Sequence, residues 1–335
     1  MPEPLVSVVI PAYNAERTLR AAVASVMTQT LQEFELIVVN DGSEDSTATL
    51  AKSLPDVRVI SQINQGSSAA RNAGVAEARG KWISFLDADD MWMRDKLSRQ
   101  MELVKKNPDV LAVQSGVVYV NNGIEVLYQG YCPEGRNSLL DILLFRNLPG
   151  LASTLFVSRD TLNSLGGFDT SLAILEDWDL AIRLSLECGL FGLAEPLALY
   201  RHHPGNRSRN VALHIDPGLA VLERTFALPA IPEDVFENQS LIYAAFYMML
   251  AGEAFRLRNW KEFRLWAGRA VRTDWRSSKQ LWTYPVRSMA RLIDRHRTFP
   301  GIEELQTSLD SLYVSLDARQ EKNLHHFDAR PPAQS

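Results

Sequence analysis

Short apolar runs alternate with segments of helical spacing along the first ninety residues. Residues 6–10, Val-Ser-Val-Val-Ile, form a β-branched run closed by Pro11 and are predicted as a buried strand. Leu19, Val23 and Val26 recur at helical spacing and place a helix over 16–27. Residues 36–39 are a second apolar run, ended by the turn cluster Asn40-Asp41-Gly42-Ser43. A helix opening at Ser46 carries Leu50 and Leu54 on one side, and residues 57–60 make a third strand. Ser67 or Ser68 starts a helix that runs to about Ala78, and residues 82–86 make a fourth strand. This βαβαβαβ order with short connections predicts a mainly parallel, Rossmann-like α/β sheet with helices on both faces.

Beyond Asp90 the pattern loosens. Helical spacing covers 97–105, and residues 110–120 and 124–128 flank Asn121-Asn122-Gly123, a hairpin signal. A helix over 139–145, a strand over 153–157 and a helix over 159–165 follow, the last stopped by Gly166-Gly167. A helix over 177–188 and a strand over 197–200 close this half. From about Asp216 strand signals vanish and helical spacing dominates. The chain therefore divides into an α/β unit over 1–212, with halves at about 1–90 and 91–212, a helical extension over 213–320, and a frayed tail over 321–335.

The 335 residues are 46% hydrophobic and 22% charged, enough for a sizeable core. A net charge of −5 gives the whole chain no nucleic-acid signature. Cys132 and Cys188 make neither a disulfide framework nor a zinc site and point to a reducing compartment. Met1-Pro2-Glu3-Pro4 lacks the basic and apolar parts of a signal peptide, and the longest apolar window, 241–252, is too short to cross a bilayer. The expected location is cytoplasmic, either free or on the cytosolic face of a membrane. One region departs from the average: residues 252–300 hold twelve Lys or Arg against four acidic residues, and four of the seven tryptophans. Cations interleaved with Trp suit an anionic membrane surface. A helical bundle that packs its tryptophans inward and solvates its arginines fits the same pattern.

The chemistry concentrates at strand ends. Residues 82–90, Trp-Ile-Ser-Phe-Leu-Asp-Ala-Asp-Asp, run from a buried strand into three carboxylates. Asp87 and Asp89 can bracket a hard divalent cation such as Mg²⁺ or Mn²⁺, which in turn can hold a diphosphate. The plain alternative is an acidic strand-to-helix turn with Asp90 capping a helix near Met93. Asp41 ends the second strand, on the same edge of a parallel sheet. Pro11, Ala12 and Tyr13 follow the first strand there and can receive a flat base, or form an ordinary loop. Gly66 before a helix start lets backbone approach an anion, and Arg71 adds a charge that can pair with phosphate or carboxylate. Glu176-Asp177-Trp178-Asp179 sits at a helix start, where the dipole stabilises acids; one of them can instead serve as general base. His203, with neighbouring His202 and Arg207, can complete a metal site or approach a diphosphate. A nucleotidyltransferase would be expected to carry a glycine-rich basic loop after the first strand, where Pro11-Ala12-Tyr13-Asn14 stands. A scaffold with a dead site is the non-enzyme alternative.

Seven segments in order resemble the inverting, nucleotide-sugar-dependent glycosyltransferases of family 2, which have the GT-A fold. They are 8–14 (Val-Val-Ile-Pro-Ala-Tyr-Asn), 39–43 (Val-Asn-Asp-Gly-Ser), 64–74 around Gly66 and Arg71, and 85–90 (Phe-Leu-Asp-Ala-Asp-Asp). The rest are 166–169 (Gly-Gly-Phe-Asp), 176–180 (Glu-Asp-Trp-Asp-Leu) and 200–205 (Tyr-Arg-His-His-Pro-Gly). The resemblance covers about residues 5–210. It implies a GT-A catalytic domain over 1–212, a nucleotide-sugar donor, UDP-linked foremost, and Mg²⁺ or Mn²⁺. It implies that Asp41 reads the base and that Asp87-Ala88-Asp89 is the Asp-x-Asp at ribose and metal. Asp177 would be the base and His203 a further metal or diphosphate contact. The acceptor, whether glycan, lipid-linked sugar or protein, is left open, as is the oligomeric state.

Overall fold

The computed structural model describes residues 3–146, 148–229 and 231–281, together with residues 302 and 307. Ten strands form one sheet: β1 Val6–Ala12, β2 Phe34–Asp41, β3 Val57–Gln62, β4 Trp82–Phe85, β5 Met91–Trp92, β6 Ala112–Val120, β7 Val126–Gly130, β8 Gly135–Asn137, β9 Phe156–Ser158 and β10 Leu190–Arg201. Their order is β3-β2-β1-β4-β9-β6-β10-β5, with β7 on β6 and β8 on β10. β3, β2, β1 and β4 are mutually parallel, as are β6 and β10, and β9 runs antiparallel between the two groups. The mainly parallel α/β sheet of the sequence reading is present, with helices on both faces.

Alternation along β1 feeds both faces. Val6, Val8, Ile10 and Ala12 pack with Leu19, Val23 and Ala51 of the helices Leu19–Met27 and Thr47–Ser53, and with Leu97 and Met101 of the helix Lys96–Lys106. Val9 packs on the other face with Ala70 and Val75 of the helix Ser67–Ala76 and with Leu180 of the helix Glu176–Glu187. The helices Val211–Phe226, Gln239–Arg256 and Trp260–Thr273 add Leu222, Phe246 and Trp266 to that second core. The helical extension and the sheet thus share one apolar cluster.

Several elements differ from the reading. β1 does not stop at Pro11 but runs to Ala12, with Pro11 opposite Val39. Pairing with β4 has already ended at Val9↔Phe85, so the missing proline N–H faces no partner strand. Residues 151–154 are not strand but a helical turn, Leu151–Thr154, entered through Gly150 in the left-handed region; only Phe156–Ser158 is strand. β10 is three times longer than its legible part, because register shifts around Pro196 break its apolar run. Asp90 caps no helix: β5 intervenes, and the next helix starts at Lys96 after Asp95. The frayed tail expected over 321–335, and the parts of the helical extension and basic region beyond residue 281 other than residues 302 and 307, lie outside the described residues.

Candidate active site

β1, β2 and β4 are adjacent and parallel, so their C-terminal ends share one edge. A cleft of about 1450 Å³ opens there. Pro11, Ala12, Tyr13, Asp41, Gly66, Arg71, Asp87, Ala88, Asp89, Glu176, Asp177, His203 and Arg207 all line it. Of the residues singled out from sequence, Trp178, Asp90, Asp179 and His202 do not line it. Trp178 stacks its ring on Phe145 at 4.3 Å, its Nε1–H donates to the Ile142 carbonyl at 2.9 Å, and the side chain is buried in the core. What it gives the site is its backbone N–H, which donates to Asp177 Oδ1 at 2.8 Å.

At one end of the cleft, Asp41 accepts from the Gln62 side chain at 2.8 Å and from the backbone N–H groups of Gln65 and Gly66 at 2.9 and 2.8 Å. These bonds fix the loop before the helix Ser67–Ala76. Gly66 has φ 91, and a Cβ there would meet nothing, so glycine is needed for conformation and not for space. Tyr13 stands half-exposed on the rim.

In the middle, Arg71 joins the two halves of the chain. Its Nη2 meets Asp87 Oδ1 at 2.6 Å and its Nη1 meets Glu176 Oε1 at 2.8 Å. The guanidinium sits 5.0 Å from the Phe168 ring centroid. Both terminal nitrogens are thus spent on carboxylates. Burial alone would raise Glu176, but the Arg71 charge holds it below the usual carboxylate range. Gly166-Gly167-Phe168-Asp169 supports this arrangement: Asn72 accepts from the Phe168 N–H and donates to its carbonyl, at 2.9 and 2.8 Å.

Three acids open the helix Glu176–Glu187, after Leu175 in the left-handed region at φ 64. Glu176 is held by Arg71. Asp179 turns away and pairs with Arg183 at 2.7 Å and Arg224 at 2.9 Å. Asp177 makes no direct ion pair among the described residues, though the Arg71 charge still acts on it. Burial first, then the charge of Glu176, pushes it up to about 6.

Asp89 Oδ2 lies 2.8 Å from His203 Nε2. The neighbouring His202 turns elsewhere: its Nε2 sits 3.0 Å from the Tyr128 hydroxyl, and its ring stacks on Tyr119. No cluster of three or more His, Cys, Asp or Glu is arranged for a metal among the described residues. Asp89 and His203 therefore fit an ion that takes its other ligands from diphosphate and water, the usual habit of small divalent cations at phosphate sites. Asp90 sits behind them, fully buried, accepting from Ser153 Oγ at 2.6 Å and from the Arg201 N–H at 2.9 Å. Arg207 reaches the Ala173 carbonyl.

Sequence reading missed His214. It comes from the helix Val211–Phe226, is 3% exposed, lines the cleft, and places Nδ1 2.9 Å from the Asn210 carbonyl. A lone histidine on an amphipathic helix carries no signal of its own. Lys96 was missed too: it reads as a surface cation but is fully buried, bonded to Ser84 and Gln100 at 2.8 Å beside the Trp92 ring.

Residues 7–165 match the profile of Glycosyl transferase family 2. Succinoglycan biosynthesis protein ExoO of Rhizobium meliloti (strain 1021) is 34% identical over 248 residues, covering 69% of this chain and 71% of that protein. The chain belongs to glycosyl transferase family 2. Another relative of this glycosyltransferase is the UDP-Glc:alpha-D-GlcNAc-diphosphoundecaprenol beta-1,3-glucosyltransferase WfgD of Escherichia coli, 30% identical over 207 residues, 58% of this chain and 79% of that one. Among solved structures, the mannosyltransferase PcManGT from Pyrobaculum calidifontis, in complex with GDP-Man and Mn2+, superposes with a TM-score of 0.57 over 88% of this chain and 86% of that chain, at 16% identity. That likeness shows a shared GT-A-type fold.

Proposed function

We propose that this glycosyltransferase moves a sugar from a nucleoside diphosphate sugar, UDP-linked foremost, to an acceptor hydroxyl with inversion, using Asp177 as general base. The observation that carries the reading is the isolation of Asp177. Of the three acids at its helix start it alone lines the cleft without a cation to hold it, at about 6. A carboxylate titrating just below neutrality is ionised at pH 7 and still basic enough to take a hydroxyl proton.

The acceptor oxygen attacks the anomeric carbon as its proton passes to Asp177. The bond from that carbon to the diphosphate oxygen breaks with its electron pair on the leaving group. Attack from the face opposite the diphosphate inverts the centre. Asp89 and His203 would hold a divalent cation, which when bound would neutralise the charge of the leaving diphosphate. Imidazole is a softer ligand than carboxylate, which favours Mn²⁺ over Mg²⁺. Arg71 keeps Asp87 and Glu176 fixed on either side of the reacting centre. Asp41, its loop already bonded, offers carboxylate oxygen to an N–H of the base. His214, with Nδ1 on a carbonyl, turns Nε2 toward an acceptor hydroxyl. The names of the relatives support a glycan acceptor in polysaccharide or glycoconjugate assembly.

Calorimetry with UDP, GDP and dTDP in the presence of Mn²⁺ tests the donor; tighter binding of GDP than of UDP overturns the uridine assignment. Anomeric proton couplings of the product test inversion, and a retained configuration removes the single-displacement mechanism.

A further inference from the structure

The helix Trp260–Thr273 has two unlike sides. Trp266, Ala267 and Ala270 are buried against the helix Gln239–Arg256, where Trp266 stacks on Tyr247 at 6.0 Å. On the other side Lys261, Arg264, Leu265, Gly268 and Arg272 follow i, i+3, i+4, i+7 and i+11, the spacing of one stripe. Leu265 is 55% exposed, and Trp260 and Trp275 stand out at the two ends, 51% and 70% exposed. The side chains of Arg258, Lys261, Arg264 and Arg272 make no ion pair or hydrogen bond among the described residues. Residues 252–281 hold eight Lys or Arg against three acidic residues, a local excess of cations in a chain of net charge −5.

We propose that this face docks on the surface of an anionic lipid bilayer. Four uncompensated cations beside large exposed apolar side chains have two needs, anionic charge and an apolar layer at shallow depth, and a bilayer interface meets both. Trp suits the headgroup level, with a broad apolar ring and one polar N–H. Long Lys and Arg stems lie along the interface while their heads reach phosphate. A soluble acidic partner would satisfy the charges and leave Trp260, Leu265 and Trp275 in water. No helix among the described residues is long and apolar enough to cross a membrane, and the proposed attachment is at the surface. The inference stands apart from the donor and base assignments, because its assay reads no sugar transfer.

The test is sedimentation of the full chain with vesicles of phosphatidylcholine containing 30% phosphatidylglycerol, against pure phosphatidylcholine, at low and high salt. Binding is expected only to the anionic vesicles, weakening with salt, with a blue shift of Trp emission. Each cation near such a surface contributes about fivefold, so K261Q/R264Q/R272Q is expected to bind about 100-fold more weakly. Trp260→Ser with Trp275→Ser should remove the emission shift and the salt-resistant part of binding. Circular dichroism and a nucleotide-induced thermal shift establish that each variant is folded. No binding at low salt, equal binding to neutral vesicles, wild-type binding by the triple variant, or polyglutamate binding as tight as that to vesicles with no emission change would each overturn the proposal.

Discussion

Asp177 gains its proton affinity from burial and from Glu176 beside it, against the opposing charge of Arg71 and the backbone N–H of Trp178. The sign for activity follows. Above about 6 the carboxylate is ionised and can accept a proton; below it the group is protonated and blocked. The rate is therefore expected to fall about tenfold per unit as pH drops below that value. Stability runs the other way: with the folded value above the ordinary 3.8, the folded state is favoured as pH falls from about 6 toward 3.8. Asp177→Asn should cost about 10²- to 10⁴-fold in kcat, leave nucleotide affinity unchanged, and show a Tm at pH 7.5 no lower than wild type. An acid limb below pH 4, or near-normal turnover by the variant, would move the base elsewhere. Arg71 poses the opposite case. Arg71→Met leaves two largely buried carboxylates facing each other, expected to cost about 3 kcal/mol in denaturant unfolding. Arg71→Lys should not restore it, since a point charge cannot bridge both. Asp41, Asp87, Asp89 and Asp177 were legible because each sits at the end of a strand or the start of a helix. The partners of Arg71, residues 16 and 105 positions away, were not. A cation reads the same in sequence whether it will meet phosphate, carboxylate or, like Lys96, a tryptophan ring.

Elements with one clear periodicity matched the reading, and elements that bend or change partner did not. The first four strands and the helices between them were legible because β1, β2 and β4 are apolar runs buried on both faces, β3 alternates Val57 and Val59 with polar residues, and each helix buries one side. β10 was not, because Pro196 and two register shifts divide it. The turn Leu151–Thr154 was not, because its four residues are all buried and a run that short has no visible period. Gly166-Gly167 shows how a turn supports the site. Gly167 has φ 70, and a Cβ there would stand 2.5 Å from Asn72 Oδ1. Gly167→Ala should therefore push Asn72 off Phe168 and loosen the ring beneath Arg71. A loss of about 1–3 kcal/mol in thermal or chemical unfolding is expected. Gly166→Ala meets strained backbone but open space and should cost less. Equal costs for the two would show that Asn72 yields freely.

At the scale of the molecule, the cleft draws its walls from β-strand ends, from the helix Glu176–Glu187 and, through His214, from the helical extension. Its two ends ask for different chemistry, and that separation can be tested by linkage. Among the described residues the protein offers an ion only Asp89 and His203 in contact, too few for a tight site without phosphate. The proposed nucleoside end, around Asp41 and the loop it anchors, would need no ion. Mn²⁺ alone is therefore expected to leave Tm almost unchanged, UDP alone to raise it modestly, and the two together to raise it by more than the sum. A ligand at 100 times its Kd adds about 2.7 kcal/mol to the folded state, which for a chain of this size is several degrees. Asp89→Ala should erase the Mn²⁺-dependent part and keep the shift from UDP alone, and it should abolish transfer. Asp41→Ala should weaken UDP with and without Mn²⁺. A full shift from Mn²⁺ alone would reveal a preformed metal site. An unchanged Mn²⁺ increment in Asp89→Ala would place the ion on other residues.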